Sequence, residues 1–155
     1  IATMVSECRA ALTALAAVAP TRRVVLAGHS AGAHLAAMVA LVHPAPLPLE
    51  LVLLVSGVYD LRPLVHTSVN DPLGLDEAAA GSLSPMLLPL AAGRPPASVV
   101  WGDHDTDAFA AQGRAFADRL GAPAVEIAGR HHFDVVDEIV TLAVRTTAPR
   151  PPARG

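Results

Sequence analysis

The sequence predicts an α/β fold in which a parallel sheet of about four strands is covered by helices on both faces. Short apolar runs recur along the chain, at residues 24–27, 49–55, 97–101 and 124–128. Continuous rather than alternating apolar patterning is typical of parallel strands that are buried on both faces. Helical periodicity joins the first pair of runs and the last pair, which indicates βαβ units with parallel strands.

Helical segments precede, connect and follow these strands. The predicted helices cover residues 3–18, 33–42, 107–120 and 133–144. The helix at 107–120 is amphipathic and directs Phe109, Phe116 and Leu120 inward. Residues 56–96 form a long irregular segment, with a short helix at 76–80. We expect this segment to be a lid or a substrate-binding loop, because long loops in compact domains are usually functional.

The composition excludes several classes of partner. The 155 residues carry a formal net charge of −3 and only 3% aromatic residues, so we expect no nucleic-acid partner. Residues 1–19 are too interrupted by Glu7 and Arg9 to span a membrane. The single cysteine, Cys8, cannot form an internal disulfide and fits a reducing, cytoplasmic location. We expect Cys8 to be a buried core thiol.

The stretch from Val24 to Ala37 predicts a strand, a sharp turn and a helix. Its turn, Gly28-His29-Ser30-Ala31-Gly32, fits the pattern G-x-S-x-G. A serine on such a turn has a strained backbone that exposes Oγ, and the two glycines leave room for the adjoining strand and helix. Ser30 is therefore the predicted nucleophile. The Ala31 N–H, at the start of the helix, is the predicted oxyanion donor.

Two further chemical groups follow later strands, at the edge of the sheet where such folds bind ligands. Asp105 follows the third predicted strand and His132 follows the fourth. Together with Ser30 they form a serine, acid and histidine set in which the histidine is the base and the aspartate orients it. Asp103 is the alternative acid and His131 the alternative base.

Other polar residues near these turns are not assigned to the catalytic set. Asp107 is expected to cap the helix that follows it. His104, His131 and His132 have aspartates nearby but lack metal-ligand spacing on fixed elements, so the sequence predicts no metal site and no cofactor. His66 is a further histidine that could approach the site from the long segment.

Several segments carry a family resemblance. Residues 28–36, 56–64, 70–75, 102–112 and 132–136 resemble, in this order, segments of the kynurenine formamidases (arylformamidases) and the related carboxylesterases. The resemblance implies a partial α/β-hydrolase fold, with Ser30 as nucleophile, Asp105 as acid and His132 as base. It implies hydrolysis of N-formylkynurenine to kynurenine and formate in tryptophan breakdown.

The resemblance also implies a small-molecule substrate, an aryl formamide or an ester. His29, which directly precedes the nucleophile, is commonly a packing position, but we name it with Tyr59 and Asn70 as an expected substrate contact. The alternatives are a carboxylesterase with the same three catalytic residues, and an inactive truncated hydrolase that acts only as an interaction module.

One family feature is absent from the sequence. The formamidases carry a His-Gly-Gly segment before the nucleophile that completes the oxyanion hole, and this chain has none. The resemblance therefore implies that residues 1–148 are the C-terminal part of a hydrolase domain, followed by a disordered Pro/Arg tail at 149–155. The absent strands would come from self-association or from a partner. Loss of one oxyanion donor costs about 10²- to 10³-fold in kcat.

Overall fold

The four apolar runs form one parallel sheet in the computed structural model, which describes residues 1–19 and 23–147. The strands lie in chain order and are β1 (Val25–His29), β2 (Leu51–Val55), β3 (Ala97–Gly102) and β4 (Ala124–Ile127). Each strand pairs in parallel with the next. The predicted α/β class is confirmed, and β1 is an edge strand of the described sheet.

Five α-helices accompany the sheet in the described part of the chain. They are α1 (Ala2–Val18), α2 (Ala31–Ala37), α3 (Glu77–Ser82), α4 (Asp107–Leu120) and α5 (Ile139–Thr147). The helix predicted at 33–42 begins earlier, directly after Ser30, and its last turn, Met38–Val42, is π-helical. The helix predicted from 133 begins as a 3₁₀ turn, Val135–Glu138, before α5.

The start of the last helix is displaced by a turn that lies in front of it. The Asp134 carboxylate accepts the N–H of His131 at 2.7 Å, and the Val135 N–H donates to the carbonyl of His131 at 3.1 Å. These bonds fold residues 131–135 back on themselves, so Phe133 lies in a turn rather than in a helix. The apolar periodicity of the segment does not reveal this competing local hydrogen bonding.

The two faces of the sheet bury separate cores. Val52 and Leu54 of β2 point to the face that α1, α2 and α4 cover. Leu51, Leu53 and Val55 point to the other face, where they pack with Val135 and the partly buried residues of α5. All five β2 residues are no more than 3% exposed, which explains the continuous apolar pattern of this strand.

The long segment between β2 and β3 is folded rather than irregular. It contains two 3₁₀ turns, Arg62–Leu64 and Ser68–Asn70, as well as α3. It buries a small core of its own, which contains Leu61, Leu75 and Ala80.

Three further expectations concern the ends of the chain and its helices. The predicted disordered tail, 149–155, lies outside the described residues. Cys8 is half-buried against the core rather than fully buried. Asp107 does not cap α4, because the preceding Thr106 occupies the cap position and Asp107 is the first helical residue.

Among the described helices, none combines the length and the apolar character that a membrane crossing requires.

The two glycines of the elbow differ in their surroundings. A Cβ on Gly28 would lie 2.2 Å from the carbonyl oxygen of Gly32, whereas a Cβ on Gly32 would meet nothing within 4 Å. Of the two elbow glycines, only Gly28 therefore relieves crowding by residues that the structure describes.

Gly28→Ala is expected to destabilise the fold by about 2 kcal/mol or more, because a backbone oxygen cannot move away without distorting the elbow. Gly32→Ala is the matched control and should leave the stability unchanged or raise it, since alanine favours a helix by about 1 kcal/mol over glycine. Urea denaturation followed by circular dichroism measures both variants. Equal midpoints for the two would contradict this interpretation of the elbow.

Candidate active site

The backbone at Ser30 has the strained geometry that the motif predicts. Ser30 lies between β1 and α2 with φ 55° and ψ −121°, a region that residues other than glycine rarely adopt. Its N–H donates to the carbonyl of Val55 at 2.9 Å, and its carbonyl accepts the Ala33 N–H at 3.0 Å. The strain is thus held by β2 on one side and by α2 on the other, and such strain is typical of functional sites.

Ser30, His132 and Asp105 form a continuous contact chain. His132 Nε2 lies 3.1 Å from Ser30 Oγ, and His132 Nδ1 lies 3.1 Å from Asp105 Oδ1. The side chain of His132 is 18% exposed and that of Asp105 is fully buried. The structure therefore brings together three residues that sequence reasoning selected from turns far apart in the chain. In this arrangement Nε2 can accept the hydroxyl proton while Nδ1–H donates to the carboxylate.

Two turns that are bonded to each other carry the acid and the histidine. The Asp103 carboxylate accepts the Gly129 N–H at 2.7 Å, and the His104 N–H donates to the Arg130 carbonyl at 2.9 Å. A Cβ on Gly102 would lie 2.1 Å from the Arg130 oxygen, so only glycine permits this close approach. Asp103, the alternative acid, thus joins the two turns while Asp105 contacts the histidine.

Aromatic side chains surround the imidazole of His132. The Phe109 ring stacks on it with centroids 4.2 Å apart, and the exposed Phe133 ring meets it edge-on at 5.3 Å. His29, an expected substrate contact, lies 4.7 Å away on a further side, and its Nε2–H donates to the His132 carbonyl at 2.7 Å. The observed contacts of His29 are therefore with the loop that carries His132.

Two residues expected to contact substrate have structural positions instead. The Tyr59 side chain is fully buried and stacks on Phe116 at 4.1 Å, and this burial raises the pKa of its phenol. Asn70 uses its whole amide locally, since it donates to the carbonyls of Val65 and Leu75 and accepts the Leu75 N–H. The structure thus corrects both expectations: sequence position placed these residues near the site but could not show where their side chains point.

Gln112 is a structural contact that sequence reasoning gave no role. Its Oε1 accepts the N–H groups of Tyr59 and Asp60 at 2.6 and 2.8 Å, and its Nε2–H donates to the Asp60 carbonyl. One α4 side chain therefore fixes the loop that leaves β2. The one feature of the sequence that could have indicated this contact is that Gln112 lies in residues 102–112, a segment that resembles the formamidases.

Three further histidines, His131, His66 and His34, have partners outside the contact chain. His131 Nδ1 accepts the Phe133 N–H at 3.1 Å, and exposed His66 pairs with Glu77 at 3.1 Å. His34 is buried, its Nε2–H donates to the Leu83 carbonyl, and burial lowers the pKa of its imidazole. Across residues 1–19 and 23–147, no three His, Cys, Asp or Glu side chains gather closely enough to hold a metal ion.

The predicted oxyanion donor has the expected position. Ala31 is the first residue of α2. A first helical residue has no preceding turn of helix whose carbonyl could accept its N–H. The role of the Ala31 N–H as an oxyanion donor stays a prediction.

Comparison with known proteins places the chain in a family. Residues 1–136 match the model of a family with the alpha/beta hydrolase fold. The chain is 30% identical to kynurenine formamidase from Danio rerio over 128 residues, which are 74% of this chain and 44% of that protein. It is 34% identical to kynurenine formamidase from Drosophila melanogaster over 130 residues, 72% of this chain and 43% of that protein. The chain therefore spans less than half the length of these relatives.

Solved structures show the same fold. A candidate thioesterase from Silicibacter superposes with a TM-score of 0.69 at 32% identity, over 87% of this chain and 54% of that one. Esterase B from Lactobacillus rhamnosis gives a TM-score of 0.69 at 21% identity, over 92% of this chain and 60% of that one.

Proposed function

Because the chain belongs to the alpha/beta hydrolase family, we propose that it carries the catalytic residues of a serine hydrolase that cleaves the N-formyl amide of N-formylkynurenine to kynurenine and formate. The observation that carries this proposal is the contact chain from Ser30 through His132 to Asp105. The formamidase names of the relatives at 30–34% identity support the choice of substrate.

The proposed reaction has two halves. Ser30 Oγ attacks the formyl carbon as its proton passes to His132 Nε2, and the Ala31 N–H donates to the oxygen anion. The C–N bond then breaks, and the arylamine leaves with the proton from Nε2. Water next attacks the formyl ester, again with His132 as base, and releases formate and free Ser30. Asp105 keeps Nδ1–H bonded and stabilises the imidazolium throughout.

A formamide suits these groups because its carbonyl carbon carries a hydrogen in place of a carbon substituent and is therefore open to a serine at a turn. The poor leaving group, an amine, requires the general acid that His132 provides.

The uncovered edge of β1 supports a second part of the proposal. Leu26 and Ala27 of β1, with Leu12 and Leu15 of α1 and Val39 after α2, line an apolar groove at this edge. We propose that a strand from the N-terminal part of the family fold, which lies outside the matched 43–44% of the relatives, pairs with β1. That part would supply a second oxyanion donor. Light scattering distinguishes this pairing from self-association, because a dimer formed by the chain alone would favour self-association.

The decisive experiment measures formate release from N-formyl-L-kynurenine by this chain, beside Ser30→Ala. We expect the unsubstituted chain to release formate and Ser30→Ala to release none. Absence of release from the unsubstituted chain would contradict a competent formamidase made by these residues alone. The cytoplasmic location rests on the single cysteine and stays a prediction.

A carboxylesterase is the second proposed function, because the contact chain of Ser30, His132 and Asp105 could attack an ester carbonyl in the same way. Hydrolysis of p-nitrophenyl butyrate without formate release would favour it. An inactive interaction module is the third, and a chain whose Ser30 resists a fluorophosphonate probe would favour that.

A further inference from the structure

Three buried side-chain atoms of the described residues have no hydrogen-bond partner, and two of them, besides the Tyr59 hydroxyl, belong to residues that follow β2 and β3. Asp105 Oδ2 belongs to a fully buried carboxylate whose other oxygen contacts His132. Ser56 Oγ belongs to a serine that is 1% exposed. A buried polar atom without a partner costs about 1–3 kcal/mol, so native proteins leave few of them. One atom is a carboxylate acceptor and the other can donate.

The sheet places these two residues on neighbouring strands at the same edge. Ser56 directly follows β2, and its N–H donates to the carbonyl of Val100 in β3 at 2.8 Å. Asp105 is held to the end of β3 by its N–H bond to the Gly102 carbonyl at 3.0 Å. The imidazole of His132 extends from Ser30, after β1, to Asp105, after β3, and β2 is the strand between them.

The backbone of Ser56 is strained in the same way as that of the nucleophile. Its φ is 44°, and Ser30 and Ser56 are the two non-glycine residues with positive φ in the described part of the chain. Glycine would adopt this conformation at no steric cost, whereas a side chain costs about 1–2 kcal/mol there. A serine at such a position, with its hydroxyl buried, indicates that the hydroxyl has a use.

We propose that Ser56 is a positioning residue whose hydroxyl donates to Asp105 Oδ2 through one bridging water and so fixes the carboxylate beside His132. This inference rests on the proposed function, because it gives Ser56 a role through the Asp105–His132 pair. A carboxylate held at both oxygens keeps one orientation, so Nδ1–H of His132 always meets the same acceptor. The hydrogen bond also reduces the negative charge on the Asp105 carboxylate that stabilises the His132 imidazolium.

Two substitutions separate this role from a purely structural one. Ser56→Gly removes the hydroxyl and relaxes the backbone strain, while Ser56→Ala removes the hydroxyl and keeps the strain. Ser98→Ala removes the hydroxyl of another buried serine, on β3, and is the control. The first readout is the rate at which a fluorophosphonate labels Ser30 as a function of pH. The second is the titration of the His132 imidazole by nitrogen-15 NMR, which needs no turnover.

We expect both Ser56 variants to label Ser30 about 10-fold more slowly, the loss that corresponds to one hydrogen bond to a charged group. Both should move the titration of His132 to higher pH, because the unshielded carboxylate holds the imidazolium more tightly. The other titratable groups around this pair are His29, Asp103, His104, His131 and Asp134, and none of them is changed. Ser98→Ala should match the unsubstituted chain.

An unmoved His132 titration in Ser56→Gly would overturn the proposal, whatever its labelling rate. So would a shift in Ser56→Gly with none in Ser56→Ala, since only the glycine variant relaxes the backbone strain. If the unsubstituted chain fails to label at all, the proposed function fails, and the NMR titration still decides the role of Ser56.

Discussion

His132→Ala is expected to slow fluorophosphonate labelling of Ser30, and any formate release, by about 10⁴-fold or more. The imidazole contacts both Ser30 Oγ and the Asp105 carboxylate at 3.1 Å, so its removal leaves the serine without a base. Residues that act as a unit lose most of their effect when one member is removed. Mass spectrometry of the labelled chain measures the rate and identifies the modified residue.

The neighbouring histidine provides the matched control. His131→Ala removes an imidazole of the same size one residue earlier, where the ring accepts the Phe133 N–H and lies near Asp134. This variant should keep the labelling rate within a few-fold of the unsubstituted chain. Equal losses in the two variants would show that the turn as a whole, rather than the base, determines reactivity.

Asp105→Asn should reduce the same rates by about 10⁴-fold with little effect on folding. The amide preserves the shape of the carboxylate but no longer stabilises the imidazolium, and it favours the wrong histidine tautomer. Kinetics of labelling and turnover, with a thermal melt as the folding check, measure this effect.

Asp103→Asn is the control for the acid, because Asp103 is the other aspartate that the sequence offered. Its Oδ1 accepts the Gly129 N–H, and an amide oxygen can keep that bond. Near-normal rates are expected. A large loss of rate in Asp103→Asn, together with an active Asp105→Asn, would show that Asp103 rather than Asp105 is the catalytic acid.

The sequence was most informative where a residue type has few alternatives. A strained serine between a strand and a helix, with glycine two residues before it, leaves a strong local pattern, and the structure shows this geometry at Ser30. The buried strands were also readable, because five successive apolar residues in β2 reflect burial on both faces. Asp105 and His132 could be selected because the ends of parallel strands meet at one edge of the sheet.

Side-chain direction was the part that the sequence could not supply. Tyr59 and Asn70 lie in segments with a family resemblance, yet one packs on Phe116 and the other bonds to its own turn. Phe109 was expected to point inward, but sequence could not show that its ring stacks on His132. These outcomes depend on contacts between residues far apart in the chain, which no local pattern records.

The joined turns after β3 and β4 have a consequence for substitutions elsewhere in the chain. Asp105 and His132 are fixed to each other by bonds between their own turns, at Asp103 to Gly129 and His104 to Arg130. The segment at 61–96 takes no part in those bonds and carries its own small core. The contact between Asp105 and His132 is therefore expected to survive substitutions within 61–96, because none of the bonds that join the two turns comes from that segment.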